Sequence, residues 1–449
     1  MKLPLLLPTI ISGLGGVLLG YDVTVIRIAI PFLTSELQLD TVLHDMVFMS
    51  STVGCIIGAL FVGRQADFYG RRNIMMALSF LFLISAVGTG VINSPTLLIL
   101  FRFITGISVG GLSVVSPIYL SEISPPRLRG RVVAVFQLTI VSGILLAVFS
   151  DYLTMNTGVN NWRYMFIGGG LPAIIYIPLI FFIPESPRWL MQKGQERVAR
   201  FILRQIRPAG DLDQIVQEIK ESINIEIMAA HAYLFRRPYI KLVLTGIVIG
   251  ILTQLTGIAA IMHYAPDILK SAGLSSVSYN VPLMIIGLTC IVATIIAMYF
   301  IDKTGRKKLL MVGSIGIAVS LSLIAIVNFT GLKTNYILSL LLIGFIGFFV
   351  VSQGTVIWVY LSELFPYNIR TRGASLGLSS FWLSNLIIWY FFQRMEVSPG
   401  IGIGIVFALF ALVTFGSYFF FRNFLIETKG QSLEELERQI IKEKAGGED

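Results

Sequence analysis

The sequence predicts an all-α membrane protein with twelve transmembrane helices in two pseudo-symmetric six-helix bundles, joined by a cytoplasmic helical linker. Three observations support this prediction. Hydrophobic residues make up 55% of the 449 residues and charged residues only 13%, whereas a soluble globular protein carries about 25% charged residues. Long apolar segments alternate with short charged gaps. Short charged motifs also occur once in each half of the chain, which indicates an internal duplication.

Twelve segments are long enough to cross a bilayer, since about 20 apolar residues span its hydrocarbon core. Six precede a long polar stretch and six follow it. The expected domains are therefore a bundle (1–184), a cytoplasmic linker (185–239), a second bundle (240–423) and a cytoplasmic tail (424–449). The predicted spans, numbered 1 to 12, lie near 6–33, 45–63, 73–93, 97–120, 132–153, 163–184, 240–265, 281–301, 308–329, 335–361, 374–393 and 401–422.

Three motif pairs recur at a nearly constant offset, and each lies in a charged gap. Internal repeats of this kind are typical of secondary transporters. The pairs are G-R-Q-A-D-F-Y-G-R-R from Gly63 with I-D-K-T-G-R-K-K from Ile301, S-E-I-S-P-P-R-L-R-G-R from Ser121 with S-E-L-F-P-Y-N-I-R-T-R from Ser362, and P-E-S-P-R from Pro184 with I-E-T-K-G from Ile426.

The net charge of +9 comes from basic residues that gather in alternate gaps, after spans 2, 4, 8 and 10. This is the positive-inside asymmetry, which places both termini in the cytoplasm and implies no nucleic-acid partner. The short termini without a targeting signal favour a prokaryotic plasma membrane. The linker carries helical spacing, and the tail has a capping box at Ser432 and Glu435. Cys55 and Cys290 lie inside apolar segments, so neither a disulfide nor a metal site is expected.

Charged residues inside the spans mark candidate functional positions, because they are costly in lipid. Asp22 in span 1 and Arg102 in span 4 predict a proton carrier whose pKa changes as the cation approaches. The alternatives are a fixed structural ion pair or an Asp22 that faces a wet vestibule. Arg27 lies about 140° around the helix from Asp22. It either contacts an anionic substrate group or, as we expect, extends to the outer interface.

Neutral polar and aromatic residues in the spans predict a binding site for a polyhydroxylated solute, because amides both donate and accept hydrogen bonds. Span 7 also contains Gly257 and Pro266, which predict a break or bend. Amides that bridge helices and tryptophans in interfacial belts are the alternatives. His263 has either a pH-sensing or a plain hydrogen-bonding role. The candidates are Gln137, Thr253, Gln254, His263, Gln353, Trp358, Trp382 and Asn385.

The charged motifs predict ion-pair networks at the cytoplasmic ends of both bundles. Such networks would hold this side closed in one state and break in the other. Membrane anchoring by the basic residues is the alternative. The candidate residues are Asp67, Arg71, Glu122, Arg129, Glu185 and Arg188 in the first half, and Asp302, Arg306, Glu363, Arg370 and Glu427 in the second.

These motifs together resemble the sugar porter family of the major facilitator superfamily over nearly the whole chain. The resemblance rests on G-R-Q-A-D-F-Y-G-R-R, P-E-S-P-R-W-L, Q-L-T-G-I, D-K-T-G-R-K-K and E-T-K-G. It implies alternating access and a central site contributed mostly by the second half. Proton-coupled members are similar in pairing an Asp in span 1, here Asp22, with an Arg in span 4, here Arg102.

Several positions depart from the family pattern. Thr253 occupies the place of a Gln, Ala259 that of an Asn and His263 that of a Tyr, while Phe381 replaces a polar residue. The site therefore has fewer groups that would hydrogen-bond a hexose. Gln137, Gln254, Trp358 and Trp382 keep the pattern.

The sequence thus predicts alternating-access proton symport of a monosaccharide or polyol. The alternatives are symport of a sugar acid or other carboxylate, passive sugar uniport, or a non-transporting sugar sensor. No nucleophile–base set, metal cluster or phosphate-binding loop is recognisable, so we expect no enzyme activity, metal or cofactor. The expected partners are the solute, protons and the bilayer, and the expected state is a monomer.

Overall fold

The computed structural model describes residues 3–154, 157–206, 212–228, 234, 239–262, 265, 280–330, 335–397 and 403–436. Twelve helices in this part of the chain are long and apolar enough to cross a membrane, which confirms the predicted number. Spans 1 to 12 are Pro4–Leu37, Thr41–Tyr69, Arg71–Val91, Pro95–Ile123, Pro126–Thr154, Asn161–Ile180, Ile240–Met262, Leu283–Thr304, Arg306–Thr330, Tyr336–Glu363, Arg370–Phe392 and Gly404–Phe424.

The described residues also include shorter helices and interruptions of two spans. Within the described residues of the linker, helices lie at Pro187–Gln192, Glu196–Ile206 and Leu212–Met228. Span 7 is a continuous α-helix over Ile240–Gln254, turns at Gly257, whose φ is +77°, and is helical again over 258–262. This confirms the predicted break, although Pro266 lies outside the described residues. Span 10 contains a π-helical turn at Val350–Gly354, a local widening that often marks functional positions.

The two halves pack in the same way, as the duplication predicts. Span 1 packs on span 5 and span 7 on span 11, while span 2 packs on span 4 and span 8 on span 10. Contacts between the halves follow the same symmetry, because span 2 meets span 11 and span 5 meets span 8. The arrangement is therefore two related six-helix bundles that face each other across these four helices.

Glycines allow spans 2 and 4 to cross closely. A Cβ atom on Gly106 would lie 1.9 Å from the carbonyl oxygen of Ser51, and one on Gly54 would lie 2.2 Å from that of Phe103. Small residues of this kind let helix backbones approach in a membrane protein. The crossing places span 2 beside Arg102 of span 4.

Spans 3, 6, 9 and 12 form the periphery. They expose apolar side chains outward, among them Val91, Leu171, Val312 and Leu412. Lipid-facing helices need such side chains, since the hydrocarbon offers no hydrogen bonds. The other eight spans, 1, 2, 4, 5, 7, 8, 10 and 11, surround the centre of the molecule.

The tail after span 12 folds back onto the end of the bundle that carries the charged loops and the linker, here named the linker face. Its predicted capping box is confirmed. The Ser432 N–H donates to Glu435 Oε2 at 2.6 Å, and the Glu435 N–H donates to Ser432 Oγ at 3.0 Å. Leu433 and Leu436 are buried, so the tail is part of the packed structure at this face.

Candidate functional site

A central cavity of about 200 Å³ lies between the two halves. Its described lining comes from spans 1, 2, 4, 5, 7, 8, 10 and 11. A cavity needs about 10–15 Å³ on this measure for one water molecule, so this one can hold a ligand of roughly a dozen non-hydrogen atoms. The cavity is therefore large enough for one small organic molecule.

Asp22 and Arg102 form an ion pair on the wall of this cavity. Both side chains are buried, and Ser51 Oγ donates a 2.8 Å hydrogen bond to the second oxygen of Asp22. The Arg102 guanidinium also lies over the ring of Phe166, 5.5 Å from its centroid. Because the pair faces the cavity, a proton or solute that enters can reach it, as the carrier hypothesis requires.

Gln137 and Trp358 connect the halves across the cavity. The Trp358 indole N–H donates to Gln137 Oε1 at 2.8 Å, and the indole ring meets Phe136 edge to face at 5.2 Å between centroids. This bond fixes the amide so that its NH₂ group can donate to a ligand. Of the predicted candidates, these two form the direct contact between spans 5 and 10.

Gln254 and Asn385 form a second polar pair in the same lining. Asn385 Nδ2 donates to Gln254 Oε1 at 3.1 Å. Nearby, the Trp382 indole N–H lies 3.4 Å from Ser113 Oγ, and the Phe381 ring packs edge to face on Trp382 at 5.3 Å. The cavity thus combines amides with flat aromatic faces, which suits a ring that carries hydroxyl groups on its edge.

The remaining predicted residues divide into three groups. Thr253 and Ala259 line the cavity, although the Thr253 hydroxyl already donates to the Ile249 carbonyl at 2.8 Å. Gln353 is buried beside span 9, with its amide 3.4 Å from Ser314 Oγ, so it bridges helices. His263 lies outside the described residues.

Arg27 lies in the cavity lining. The expectation that it extends to the outer interface is therefore wrong. Helix rotation separates it from Asp22, but Val23 and Thr24, one turn before it, line the cavity as well. The cavity wraps around span 1, so residues that do not share one face of an ideal helix both contact it.

Ion pairs link the charged motifs of the first half at the linker face. Arg71 Nη2 lies 3.0 Å from Glu122 Oε1 and 3.1 Å from Asp67 Oδ1. Glu185 accepts the backbone N–H groups of Arg71 and Arg72 at 3.0 and 3.1 Å, and so caps span 3. Burial raises the pKa of the Glu185 carboxyl, against the opposing effect of these bonds.

The second half repeats this network. Arg306 contacts Glu363 at 2.9 Å and Asp302 at 3.1 Å, while Glu427 accepts the Arg306 N–H at 2.9 Å and so caps span 9. Gly305 precedes this cap with φ +91°, and a Cβ there would lie 2.3 Å from Glu427 Oε2. A positive φ and a close carboxylate together explain why the motif needs glycine at this position.

Several groups also join the halves or the tail at the linker face. Asp302 accepts the backbone N–H groups of Gly130 and Arg131, both at 3.0 Å, and Asp67 accepts the Thr371 hydroxyl. In each half, the aspartate of the charged motif thus accepts hydrogen bonds from the other half. The remaining contacts with the tail and the adjoining loop are Arg129 Nη1 to the Gln431 carbonyl at 3.0 Å, Arg188 to Glu434 at 2.6 Å and Arg370 Nε to the Phe365 carbonyl at 3.1 Å.

Three contributors were missing from the sequence-based candidates. Ser51 carried a signal, because the run Ser50-Ser51-Thr52 is polar inside an apolar span. Thr371 and Glu434 carried none, since their partners Asp67 and Arg188 are distant in the sequence. Only the packing of the halves and the tail brings these groups together.

Comparison with known proteins gives consistent matches over nearly the whole chain. A family model described as "Sugar (and other) transporter" matches residues 9–440. The chain is 35% identical to the glucose transporter GlcP of Staphylococcus epidermidis, with 96% of each chain covered. It is 33% identical to the arabinose-proton symporter and 34% identical to the major myo-inositol transporter IolT of Bacillus subtilis. These alignments cover 96% of this chain and 94% and 93% of the relatives.

Solved structures match the fold. The proton:xylose symporter XylE bound to 6-bromo-6-deoxy-D-glucose superposes with a TM-score of 0.89 at 29% identity, covering 97% of this chain and 98% of that one. The inward open conformation of XylE from Escherichia coli gives 0.73 at 29% identity, covering 96% and 98%. The present conformation is therefore more similar to the sugar-bound structure than to the inward open one.

Proposed function

This chain belongs to the sugar (and other) transporter family, and we propose that it is a proton symporter that carries a monosaccharide or polyol into the cell by alternating access. As a member of this family it is a transporter and not an enzyme. Its twelve spans and bacterial relatives make it a multi-pass protein of a bacterial cell membrane. Relatives named as an arabinose-proton symporter and a D-xylose-proton symporter support the proton coupling.

One observation carries the proposal: a single cavity is lined both by the Asp22–Arg102 pair and by the amides of Gln137, Gln254 and Asn385. Coupled transport requires that proton and solute sites influence each other. Groups that face one small cavity influence each other, because they share its water, its charge and its volume. A passive carrier has no need of an ionisable carboxylate at this position.

Asp22 is the proposed proton site, with Arg102 as the switch of its affinity. While the pair is intact, the carboxylate and the guanidinium hold spans 1 and 4 together. Protonation removes the attraction, so Arg102 separates from Asp22 more easily and the helices around the cavity can rearrange. The proposed solute site comprises the neutral polar and aromatic residues, namely Gln137, Thr253, Gln254, Ala259, His263, Trp358, Phe381, Trp382 and Asn385.

The linker face is proposed to be cytoplasmic, with both termini on that side and the basic loops obeying the positive-inside asymmetry. The two ion-pair networks and the contacts between halves would close this side while the solute enters from outside. Breaking them would open the cavity inward. The protein would act as a monomer, with no bound cofactor and with the proton gradient as its driving force.

The test is proton movement in sealed proteoliposomes when neutral sugars and polyols are added outside. Symport predicts alkalinisation of the outer medium, with uptake that a proton ionophore reduces to equilibration. Labelled sugar that exchanges with no proton movement would contradict the coupling and indicate a uniporter. Specific sugar binding without any flux would instead indicate a sensor.

A further inference from the structure

We propose that the central cavity also accepts sugar acids, and that Arg27 binds their carboxylate there. The inference rests on the proposed transport function and extends its substrate class. A neutral monosaccharide would use the amides and tryptophans alone. An oxidised relative with one carboxylate would use these groups and the guanidinium together.

The position of Arg27 supports a role in binding. It lies on span 1, five residues after Asp22 and so about 7.5 Å farther along the helix axis. Span 1 begins near the linker face, where Leu5 lines a second cavity with linker residues. Arg27 therefore contacts the central cavity on the side away from the linker face. A solute that enters from that side would meet this guanidinium before the proton site.

The charges of the lining are unequal. The described lining holds two guanidinium groups, Arg27 and Arg102, and a single carboxylate, Asp22. Arg102 already pairs with that carboxylate. Within the described part of the chain, no carboxylate lies within ion-pair distance of Arg27. The cavity thus carries an excess of positive charge when Asp22 is ionised, and a larger one when it is protonated.

An unpaired cation inside the membrane-spanning region is stabilised when an anion binds beside it. Charged side chains inside membrane proteins are costly, and they usually pair or line a functional pathway. A guanidinium is planar and presents its donors as a fork that matches a carboxylate with two parallel hydrogen bonds. Arg27 therefore has the chemistry to select a carboxylate over a hydroxyl group.

The neutral part of the site fits the same solute. Gln137, Gln254 and Asn385 still offer amide groups for hydroxyls. Thr253 has its hydroxyl engaged with the backbone, and Ala259 offers no polar side chain. The site thus lacks a side-chain donor for a solute hydroxyl at those two positions. A charge-assisted bond to Arg27 would compensate for this lack, because such bonds are roughly twice as strong as neutral ones.

This assignment has a consequence for energetics. One proton carried with a neutral sugar moves one positive charge per cycle, whereas one proton with a monoanion moves none. Uptake of a sugar acid should therefore follow the pH gradient and not respond to membrane potential. Uptake of a neutral sugar by the same protein should respond to both.

The experiment compares exchange and uptake of hexuronates and aldonates with their neutral hexoses in proteoliposomes. Variants are Arg27→Gln, Arg27→Lys and, as a matched control, Arg197→Gln at an exposed arginine of the linker. We expect Arg27→Gln to lower exchange of the acids about ten- to hundredfold. Exchange of the hexoses should change less than about twofold. Arg27→Lys should restore part of the loss, and Arg197→Gln should match the wild type.

The potential dependence is measured on the same vesicles with a potassium gradient and valinomycin. Sugar-acid uptake whose rate does not change with the membrane potential supports the proposal. Wild-type vesicles that exchange hexoses but none of the acids would overturn it while leaving the transport function intact. Equal loss of both solute classes in Arg27→Gln would also overturn it, since that result assigns Arg27 a structural role. Acid exchange that needs Arg27 but moves no proton would contradict the coupling alone.

Discussion

The carboxylate of Asp302 accepts a hydrogen bond from the backbone N–H of Gly130 at 3.0 Å. Asp302 lies in the last turn of span 8 in the second half, and Gly130 lies in the first turn of Arg129–Thr154, the α-helix of span 5 in the first half. A carboxylate at a helix N-terminus satisfies free N–H groups and interacts favourably with the helix dipole. Because Asp302 is also 3.1 Å from Arg306, the contact between the halves is tied to the ion-pair network.

Asp302→Asn should open the linker face. The substitution removes the charge and one acceptor, so we expect the contact between halves to lose about 1–3 kcal/mol. The equilibrium between closed and open states would then shift about 5- to 150-fold. Double electron–electron resonance measures the distances between spin labels on spans 5 and 8 at this face. The distance distribution gives the populations of the closed and open states. Asp45→Asn, on the opposite side of the bundle, is the matched control. Unchanged distances in both variants would contradict a role of Asp302 in closing the linker face.

Asp22→Asn should abolish accumulation driven by a pH gradient but retain exchange. Asparagine has nearly the shape of aspartate, yet it neither binds nor releases a proton in this range. Counterflow of labelled solute measures the exchange, and uptake against an imposed pH gradient measures the coupling. Ser51→Ala, which keeps the carboxylate but loses its 2.8 Å hydrogen bond, should reduce accumulation without abolishing it. Full accumulation in Asp22→Asn would show that the proton binds elsewhere.

The tail should stay docked at neutral pH and be released by acid. Burial raises the pKa of Glu434, but the Arg188 charge 2.6 Å away outweighs it and holds that pKa below its usual value. A lowered pKa means that the stabilisation is present above the usual glutamate value, about 4.3. It is lost as the pH falls through the lower, docked value. Hydrogen exchange of residues 430–436 should therefore stay slow down to about pH 5.

Removing the cation should move this release upward in pH. Arg188→Gln removes the positive charge that lowers the pKa of Glu434. Burial then raises this pKa without that opposing effect. Breaking a buried pair by removing one partner costs about 3–5 kcal/mol. Fast exchange of the tail in this variant at neutral pH is the expected result. Slow exchange, equal to that of the wild type, would mean that the apolar contacts of Leu433 and Leu436 hold the tail without the ion pair.

Gly106→Ala should destabilise the first half, whereas Gly347→Ala should not. A Cβ at Gly106 would lie 1.9 Å from a backbone oxygen of span 2, but one at Gly347 meets nothing within 4 Å. Overpacking costs about 1–3 kcal/mol, while alanine is favoured over glycine in a helix by about 1 kcal/mol. Thermal unfolding in detergent should show a lower midpoint for the first variant only. Equal midpoints would mean that the helices separate at little cost.

The sequence by itself determined the membrane class, the number of spans and their duplication. The bilayer fixes the length of a spanning helix and excludes most charges from it, so these features appear directly as apolar runs. The same exclusion makes Asp22 and Arg102 conspicuous, because each is a charged residue within an otherwise apolar run. The tail capping box was also predictable, because Ser432 and Glu435 interact within one helical turn.

The tertiary structure alone decided which distant groups meet. Helical periodicity assigns a residue to a face, but it does not fix which neighbour packs on that face or at what depth. Arg27 therefore lay in the cavity and not at the interface, and Gln353 bridged to Ser314 instead of lining the site. The contacts of Asp302 with Gly130 and of Glu434 with Arg188 likewise exist only because the two halves and the tail close around one face.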